Sequence, residues 1–416
     1  MKKKIMAYLL CMLCMFGCGC DFAEKQPENP VATTVETEEP ALEEKEEGKI
    51  VTDLTEIEAM AGTIVQNMTL EEKIGQMFVV NLEQLDNSKG SYYEFRECTD
   101  EMKANLNKYS IGGVILFARN IESISQTKTL IGELQENTRA PLFVSVDEEG
   151  GAVARIGNNS NMRTTKFPTM EEVGAMGDET YAYNMGATIG REIKELGFNL
   201  NFAPCADVKT NAYNTEIGNR AFGSDAKLVS KMVKQVVKGI QDQGISATLK
   251  HFPGHGSASG DSHVTPVNID TDLLGLRTTE FVPFAAGIDS GVDFVMVSHI
   301  SVSKVTENTV PACMSRLVLQ NMLRQELKFD GVIITDAMDM GAITRKYKPD
   351  VAAVNCVKAG VDIVLMSTDL EQAYKGVYDA VKQGKISEEQ IDESVKRIMK
   401  VKIKRGIILS NTELLN

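Results

Sequence analysis

The side chains best able to do chemistry lie between His251 and His263. Three of the chain's 4 histidines fall in the run His251-Phe-Pro-Gly-His255-Gly-Ser-Ala-Ser-Gly-Asp261-Ser-His263. Imidazole changes charge near neutral pH, and Asp261 stands two residues before His263, so a carboxylate is at hand to fix the ring's tautomer and stabilise its protonated form. Gly254, Gly256 and Gly260 permit positive φ and close backbone approach, while Ser257 and Ser259 favour turns. The segment therefore reads as a mobile catalytic loop following the apolar run Ile245–Leu249. Two other readings compete with it. A His-x3-His-x7-His set could ligate a metal, but no His-Glu-x-x-His or Cys-x-x-Cys pattern supports one, and no metal or cofactor is expected. Alternatively, the histidines could cap strand ends without any chemistry.

Eight short apolar runs supply the elements that must position this loop: Met77–Leu82, Gly113–Phe117, Leu142–Val146, Leu200–Ala203, Ile245–Leu249, Phe294–Val297, Val332–Thr335 and Ile363–Met366. They are mostly rich in Val, Ile, Leu and Phe, as parallel strands covered on both faces are. Helical patterns alternate with them, among them Ile121–Glu136, Tyr181–Leu196, Lys227–Gln243, Thr271–Gly287 and Leu370–Gln383. This alternation predicts an α/β fold, a (β/α)8 TIM barrel forming a single catalytic domain. A doubly wound open sheet is the alternative, but no Gly-x-Gly-x-x-Gly turn follows the first run. Thr69-Leu-Glu-Glu72 is a capping box that opens a helix, and Ser387-Glu-Glu-Gln390 opens a last one through Lys404. Glu83–Ser110 is too long for an ordinary strand-to-helix loop and reads as an insertion with some helix of its own. No second globular domain is expected.

In such a barrel the active site lies at the C-terminal ends of the strands. Charged groups gather just past the runs: Asp147-Glu-Glu-Gly-Gly after the third, Asp207 after the fourth and Lys250-His251 after the fifth. Ser298-His299 comes after the sixth, and Asp336 with Asp339 after the seventh. Asp339 could equally be a helix N-cap, and Arg155 a structural ion pair.

These residues carry a resemblance. Lys250-His-Phe-Pro-Gly-His-Gly256 followed by Asp261-Ser-His263 resembles the signature of glycoside hydrolase family 3, in its β-N-acetylglucosaminidase branch. Val146-Asp-Glu-Glu-Gly-Gly151 with Arg155, Asn201-Phe-Ala-Pro204 with Asp207, Ile217-Gly-Asn-Arg-Ala-Phe222 and Gly331-Val-Ile-Ile-Thr-Asp-Ala-Met338 continue the match, in order, over about Asp53 to Lys404. The resemblance implies that Asp336 is the nucleophile and His263 the acid/base group with Asp261 as its partner. It also implies that Asp147, Arg155, Arg220, Lys250 and His251 hold the sugar hydroxyls in the -1 subsite. One nucleophilic carboxylate plus one proton donor is what a retaining glycosidase needs, although a histidine replaces the usual second carboxylic acid. His255 and His299 match no catalytic position and are candidates for supporting or structural roles.

The rest of the chain bounds the setting. At 416 residues it suits one barrel, and a net charge of -14 without a basic run in its body argues against nucleic acid or an anionic membrane as ligand. Residues 1–20 read as a lipoprotein signal peptide: Lys2-Lys3-Lys4, an apolar stretch from Ile5 to Phe16, then Met15-Phe16-Gly17-Cys18, which resembles a lipobox. Cys18 is the expected lipidation site and Cys20 the alternative. Residues 21–52, rich in Glu, Pro and Thr, read as a disordered acidic linker, and residues 53–416 as the catalytic domain. Outside the leader Cys98, Cys205, Cys313 and Cys356 are widely spaced and read as buried free thiols.

The resemblance thus implies an exported enzyme, lipid-anchored to the outer face of the cell membrane, that removes non-reducing terminal N-acetylglucosamine from peptidoglycan-derived muropeptides or related glycans. A β-glucosidase or β-xylosidase of the same family is the enzymatic alternative, and a sugar-binding lipoprotein without turnover the other. The expected partner is a carbohydrate substrate, with no membrane contact beyond the lipid anchor, and the chain is expected to be a monomer.

Overall fold

The computed structural model describes residues 48–415. The expected signal peptide, Cys18 and the acidic stretch up to residue 47 lie outside the described residues. The barrel strands are β1 (Phe78–Val80), β2 (Gly113–Ile115), β3 (Phe143–Val146), β6 (Leu200–Asn201), β7 (Ser246–Phe252), β8 (Phe294–Val297), β9 (Val332–Thr335) and β10 (Val364–Leu365). Between β3 and β6 a small hairpin, β4 (Glu148–Gly150) with β5 (Val153–Ala154), stands outside the barrel sheet.

The barrel strands pair in parallel in the order β10-β1-β2-β3-β6-β7-β8-β9. Registers such as Val79↔Gly113, Val114↔Val144 and Val295↔Ile333 run around the sheet. A parallel bridge between Ile334 and Ile363 closes it, reinforced by the Thr335 N–H donating to the Ile363 carbonyl at 3.0 Å. The closed (β/α)8 barrel expected from the alternating runs is the fold; seven of the eight runs contain a strand, and β7 begins in the fifth and continues three residues past it, through Phe252. Every residue of β1, β2, β3, β8 and β9 is buried, because one face fills the interior while helices cover the other.

The helices follow from pattern and caps. Ala226–Asp242 buries Val229, Met232, Val233, Val236, Val237 and Ile240, the spacing of one helical face. Both sides of the capping box at Thr69 form, and the Ser387 side chain caps Glu388–Lys404. The pattern over Thr271–Gly287 appears as Leu273–Gly275, a wide π turn Leu276–Glu280 and the helix Phe281–Asp289. Pro283 accounts for the interruption, since it lacks the N–H and its ring crowds the carbonyl four residues back.

The insertion Glu83–Ser110 does carry helix of its own, Asp100–Tyr109, capped by Thr99. One boundary moves. Lys49 and Ser410 exchange hydrogen bonds of 2.9 and 3.0 Å and Val51 is buried, so the folded domain takes in the last residues of the stretch 21–52. Backbone pairing and one apolar side chain suffice to order them.

Candidate active site

Asp147, Arg155, Arg220, Lys250, His251, His263 and Asp336 all line one cavity of about 1170 Å³ at the C-terminal ends of the strands. Asp261 stands behind His263 and is bonded to it. The structure therefore brings the expected site residues together from the end of β7 and from the connections after β3, β6, β7 and β9.

Asp336 directly follows β9, and its Oδ1 accepts from the Ala337 N–H at 2.8 Å. Burial alone would push this carboxyl up. The His251 and His299 rings, the Ala337 N–H and Lys250 outweigh that and hold it below the usual carboxylate range. It is thus an ionised carboxylate facing a cavity. Asp339, three residues on, also lines the cavity, and partial desolvation there and the charge of Asp336 push it up. The cap of the short helix Gly341–Thr344 falls on Met340, so the N-cap alternative for Asp339 does not apply.

Lys250 and His251 are neighbours on β7, where consecutive side chains would ordinarily point to opposite faces. Both reach the cavity, because the pairing of β7 with β8 slips between Leu249 and Phe252, and such irregularities re-aim side chains at barrel rims. Lys250 Nζ sits 2.8 Å from Asp147 Oδ1 and 2.6 Å from Glu149 Oε1. Burial pulls its pKa down, and these two carboxylates more than restore it. Glu149 in turn receives Arg220 through both oxygens, at 3.0 and 2.7 Å. Burial pushes Glu149 up, but Arg220 and Lys250 hold it at about 2.

Arg155 approaches Asp147 only to 3.7 Å, and its buried Nε has no protein partner. It is less a structural ion pair than a cation left with a donor to spare beside the cavity. His251 Nε2 accepts from Arg220 Nη2 (3.3 Å), while its Nδ1 lies 2.7 Å from Asp207. Asp207 is fully buried and also accepts from the backbone N–H groups of His251 and His255 and from the Cys205 thiol. Burial would raise it, yet His251 and the other donors keep it well below its ordinary value.

The His251–His263 loop is docked. Gly254 has φ +120°, and a Cβ on Gly256 would meet the Val208 carbonyl at 1.9 Å, so the loop backbone lies directly on the segment before it. Asn211 and Asn214 of that segment donate to the carbonyls of Ala258 and His255, each at 2.8 Å. His263 Nδ1 is 2.9 Å from Asp261 Oδ1 and 3.2 Å from Glu216 Oε1. The Glu216 bond raises the His263 pKa most, burial opposes it, and Asp261 and Asp336 add to the rise, which reaches about 9.

His255, which matched no catalytic position, supports the loop from below: its Nε2 is 3.2 Å from Ser262 Oγ and 3.3 Å from Glu216. His299 holds the turn after Asp336 through a 2.8 Å contact with the Ala337 carbonyl. Glu149, Asp207 and Glu216 are participants to which the sequence assigned no role. Glu149 and Asp207 stand inside the family motifs and Glu216 directly precedes one, which was the available signal.

Two groups among the described residues bring donors within reach of a single ion, Cys205–Asp207–His251 and Glu216–Asp261–His263. In both, the donors already bond one another. Among the described residues Cys98, Cys205, Cys313 and Cys356 are buried and free, as expected.

A closed parallel barrel whose rim sets an ionised carboxylate and a protonated histidine around one cavity has the equipment of a glycoside hydrolase. The chain belongs to glycosyl hydrolase family 3, the model of whose N-terminal domain matches residues 69–401. Over 333 residues it is 34% identical to Beta-hexosaminidase A of Pseudoalteromonas piscicida, covering 73% of this chain and 55% of that protein. Over 265 residues it is 34% identical to the Beta-hexosaminidase of Hydrogenovibrio crunogenus, covering 62% of this chain and 72% of the relative. The chain thus spans about half the length of the first of these and most of the second. Its structure is similar to that of a glycoside hydrolase family 3 beta-N-acetylglucosaminidase from Paenibacillus sp. str. FPU-7, with a TM-score of 0.76 at 35% identity over 84% of this chain and 68% of that one.

Proposed function

We propose that this protein is a retaining exo-β-N-acetylglucosaminidase that releases non-reducing terminal β-linked N-acetylglucosamine from peptidoglycan-derived muropeptides or related glycans. The observation that carries the reading is the pairing of an ionised Asp336 with a protonated His263 on one cavity. In the proposed reaction Asp336 attacks the anomeric carbon as His263 gives its proton to the departing oxygen, leaving an α-linked glycosyl-enzyme. His263 then takes a proton from water, whose oxygen displaces Asp336 and restores the β configuration. Asp147, Arg155, Arg220, Lys250 and His251 hold the hydroxyls of the -1 sugar, and Asp261 orients His263. The names of the hexosaminidase relatives support the choice of amino sugar over glucose or xylose.

Release of p-nitrophenol from its β-N-acetylglucosaminide, set against the β-glucoside and β-xyloside, tests the substrate class. Faster release from either neutral sugar would move the protein to the glucosidase or xylosidase alternative, and no release from any would leave the sugar-binding one. Proton NMR should show the β anomer first, and a 5-fluoro glycosyl inactivator should label the peptide Gly331–Met338. An initial α anomer would end the double-displacement mechanism.

We also propose export and lipid anchoring at Cys18, on the strength of the basic, apolar and lipobox-like order of residues 1–20. Lipid labelling that survives in Cys18→Ala would refute that assignment. No helix among the described residues is long and apolar enough to cross a membrane.

A further inference from the structure

The His263 ring has two carboxylate partners, and they are not equivalent. Asp261 lies on the same loop two residues away, half exposed at 50%, and its Oδ1 accepts from both the backbone N–H and the ring Nδ1 of His263. It travels with the histidine wherever the loop goes. Glu216 comes from the preceding strand-to-helix connection and is 7% exposed. Its Oε1 is 3.2 Å from His263 Nδ1 and 2.8 Å from Ser262 Oγ. Its Oε2 accepts from the Ser262 N–H at 2.9 Å and lies 3.3 Å from His255 Nε2. A carboxylate shielded from water acts on a neighbouring charge more strongly than one at the surface.

We infer that Glu216 is a third member of the acid/base unit, a positioning residue that clamps the Ser262–His263 end of the catalytic loop and favours the charged form of the His263 ring. Nδ1 is then committed to the two carboxylates, and Nε2 is the nitrogen left for the glycosidic oxygen. Asp336 and Asp339 from the connection after β9 also act on the ring, and His255 faces Glu216 from the other side. Glu216 itself is suited to the task. Burial would push it up, but His263, His255 and the two Ser262 donors hold it at about 2, so it stays ionised across the working range.

The inference rests on the reading of His263 as proton donor, and the tests separate the two. In the unaltered protein, NMR titration of the His263 ring should give a pKa near 9; a value near that of a free imidazole would overturn the inference without any variant. Glu216→Gln should move the basic limb of the kcat/KM profile to lower pH by about one unit or more and lower kcat/KM on a natural disaccharide about tenfold, with activated aryl glycosides much less affected. Asp261→Asn should move the limb less. Glu216→Asp, which withdraws the carboxylate from Nδ1 but keeps its charge, should fall between. An unchanged basic limb in a folded Glu216→Gln or Glu216→Asp protein would reduce Glu216 to a packing contact. If His263→Ala instead cut activated and natural substrates alike, the donor reading would fall, whatever Glu216 does.

Discussion

The two ends of the barrel carry the same kinds of residue and use them differently. At the N-terminal end Asp362, just before β10, is fully buried and accepts from Arg324 at 2.6 Å, Arg397 at 3.0 Å and the Ile333 N–H at 2.8 Å. Asp293, just before β8, binds Lys404 at 2.8 Å, Ser246 at 2.9 Å and Arg405. Lys402 is buried against Gln76 Oε1 at 2.7 Å and the Phe143 ring. Arg397, Lys402 and Lys404 all belong to the last helix, so these contacts staple the chain's end across the barrel floor. At the C-terminal end Lys250, Arg220, Glu149 and Asp147 form an equally buried network, but its edge opens on the cavity, beside Asp336 and an Arg155 nitrogen without a protein partner. Buried charge is therefore no sign of chemistry here. Charge that a cavity can reach is.

The largest effect expected from breaking the contrast is at Asp336. Asp336→Asn should lower turnover by about a thousandfold or more while lowering the unfolding temperature only slightly, since the neighbours that hold this carboxylate below its ordinary range make its anion mildly favourable to the fold. A matching fall in stability would give Asp336 a structural share it has not been assigned.

At the floor the outcome should be inverted. Asp362→Ala strands Arg324 and Arg397 and should cost about 3–5 kcal/mol of unfolding free energy, with kcat per folded molecule unaltered. Chemical denaturation beside active-site titration would check it. Lost turnover at constant stability would mean the two ends are coupled.

The smallest effect sharpens the comparison through pH. Burial pulls the Lys402 pKa from 10.5 down to about 7. Between those values the unfolded chain binds the proton and the folded one does not, so this lysine destabilises the fold at and below neutral pH and is relieved as pH rises. The wild-type unfolding free energy should accordingly gain on that of Lys402→Met by up to a few kcal/mol between about pH 7 and 10. Parallel curves would place Lys402 in contact with water.

The barrel and most of the site were legible along the chain because both are written locally. Period and burial demand marked every barrel strand, and Asp147, Lys250, His251, His263 and Asp336 each stand at or after the end of an apolar run. The small hairpin Glu148–Ala154 was not legible, since Glu148-Glu-Gly150 and Val153-Ala154 carry no apolar run. The π turn before Phe281 was signalled only by Pro283.

Residue types and order determined by themselves that this chain closes a (β/α)8 barrel and which loops carry its carboxylates and histidines. Which carboxylates act on which histidines was left to the tertiary structure. Asp261 could be paired with His263 from a spacing of two, but Glu216 is distant from it in sequence and reaches it only because two adjacent loops dock. The same holds for Asp207 on His251 and Glu149 on Lys250. Electrostatic influence depends on separation and dielectric, and neither exists until the chain has buried one group against another.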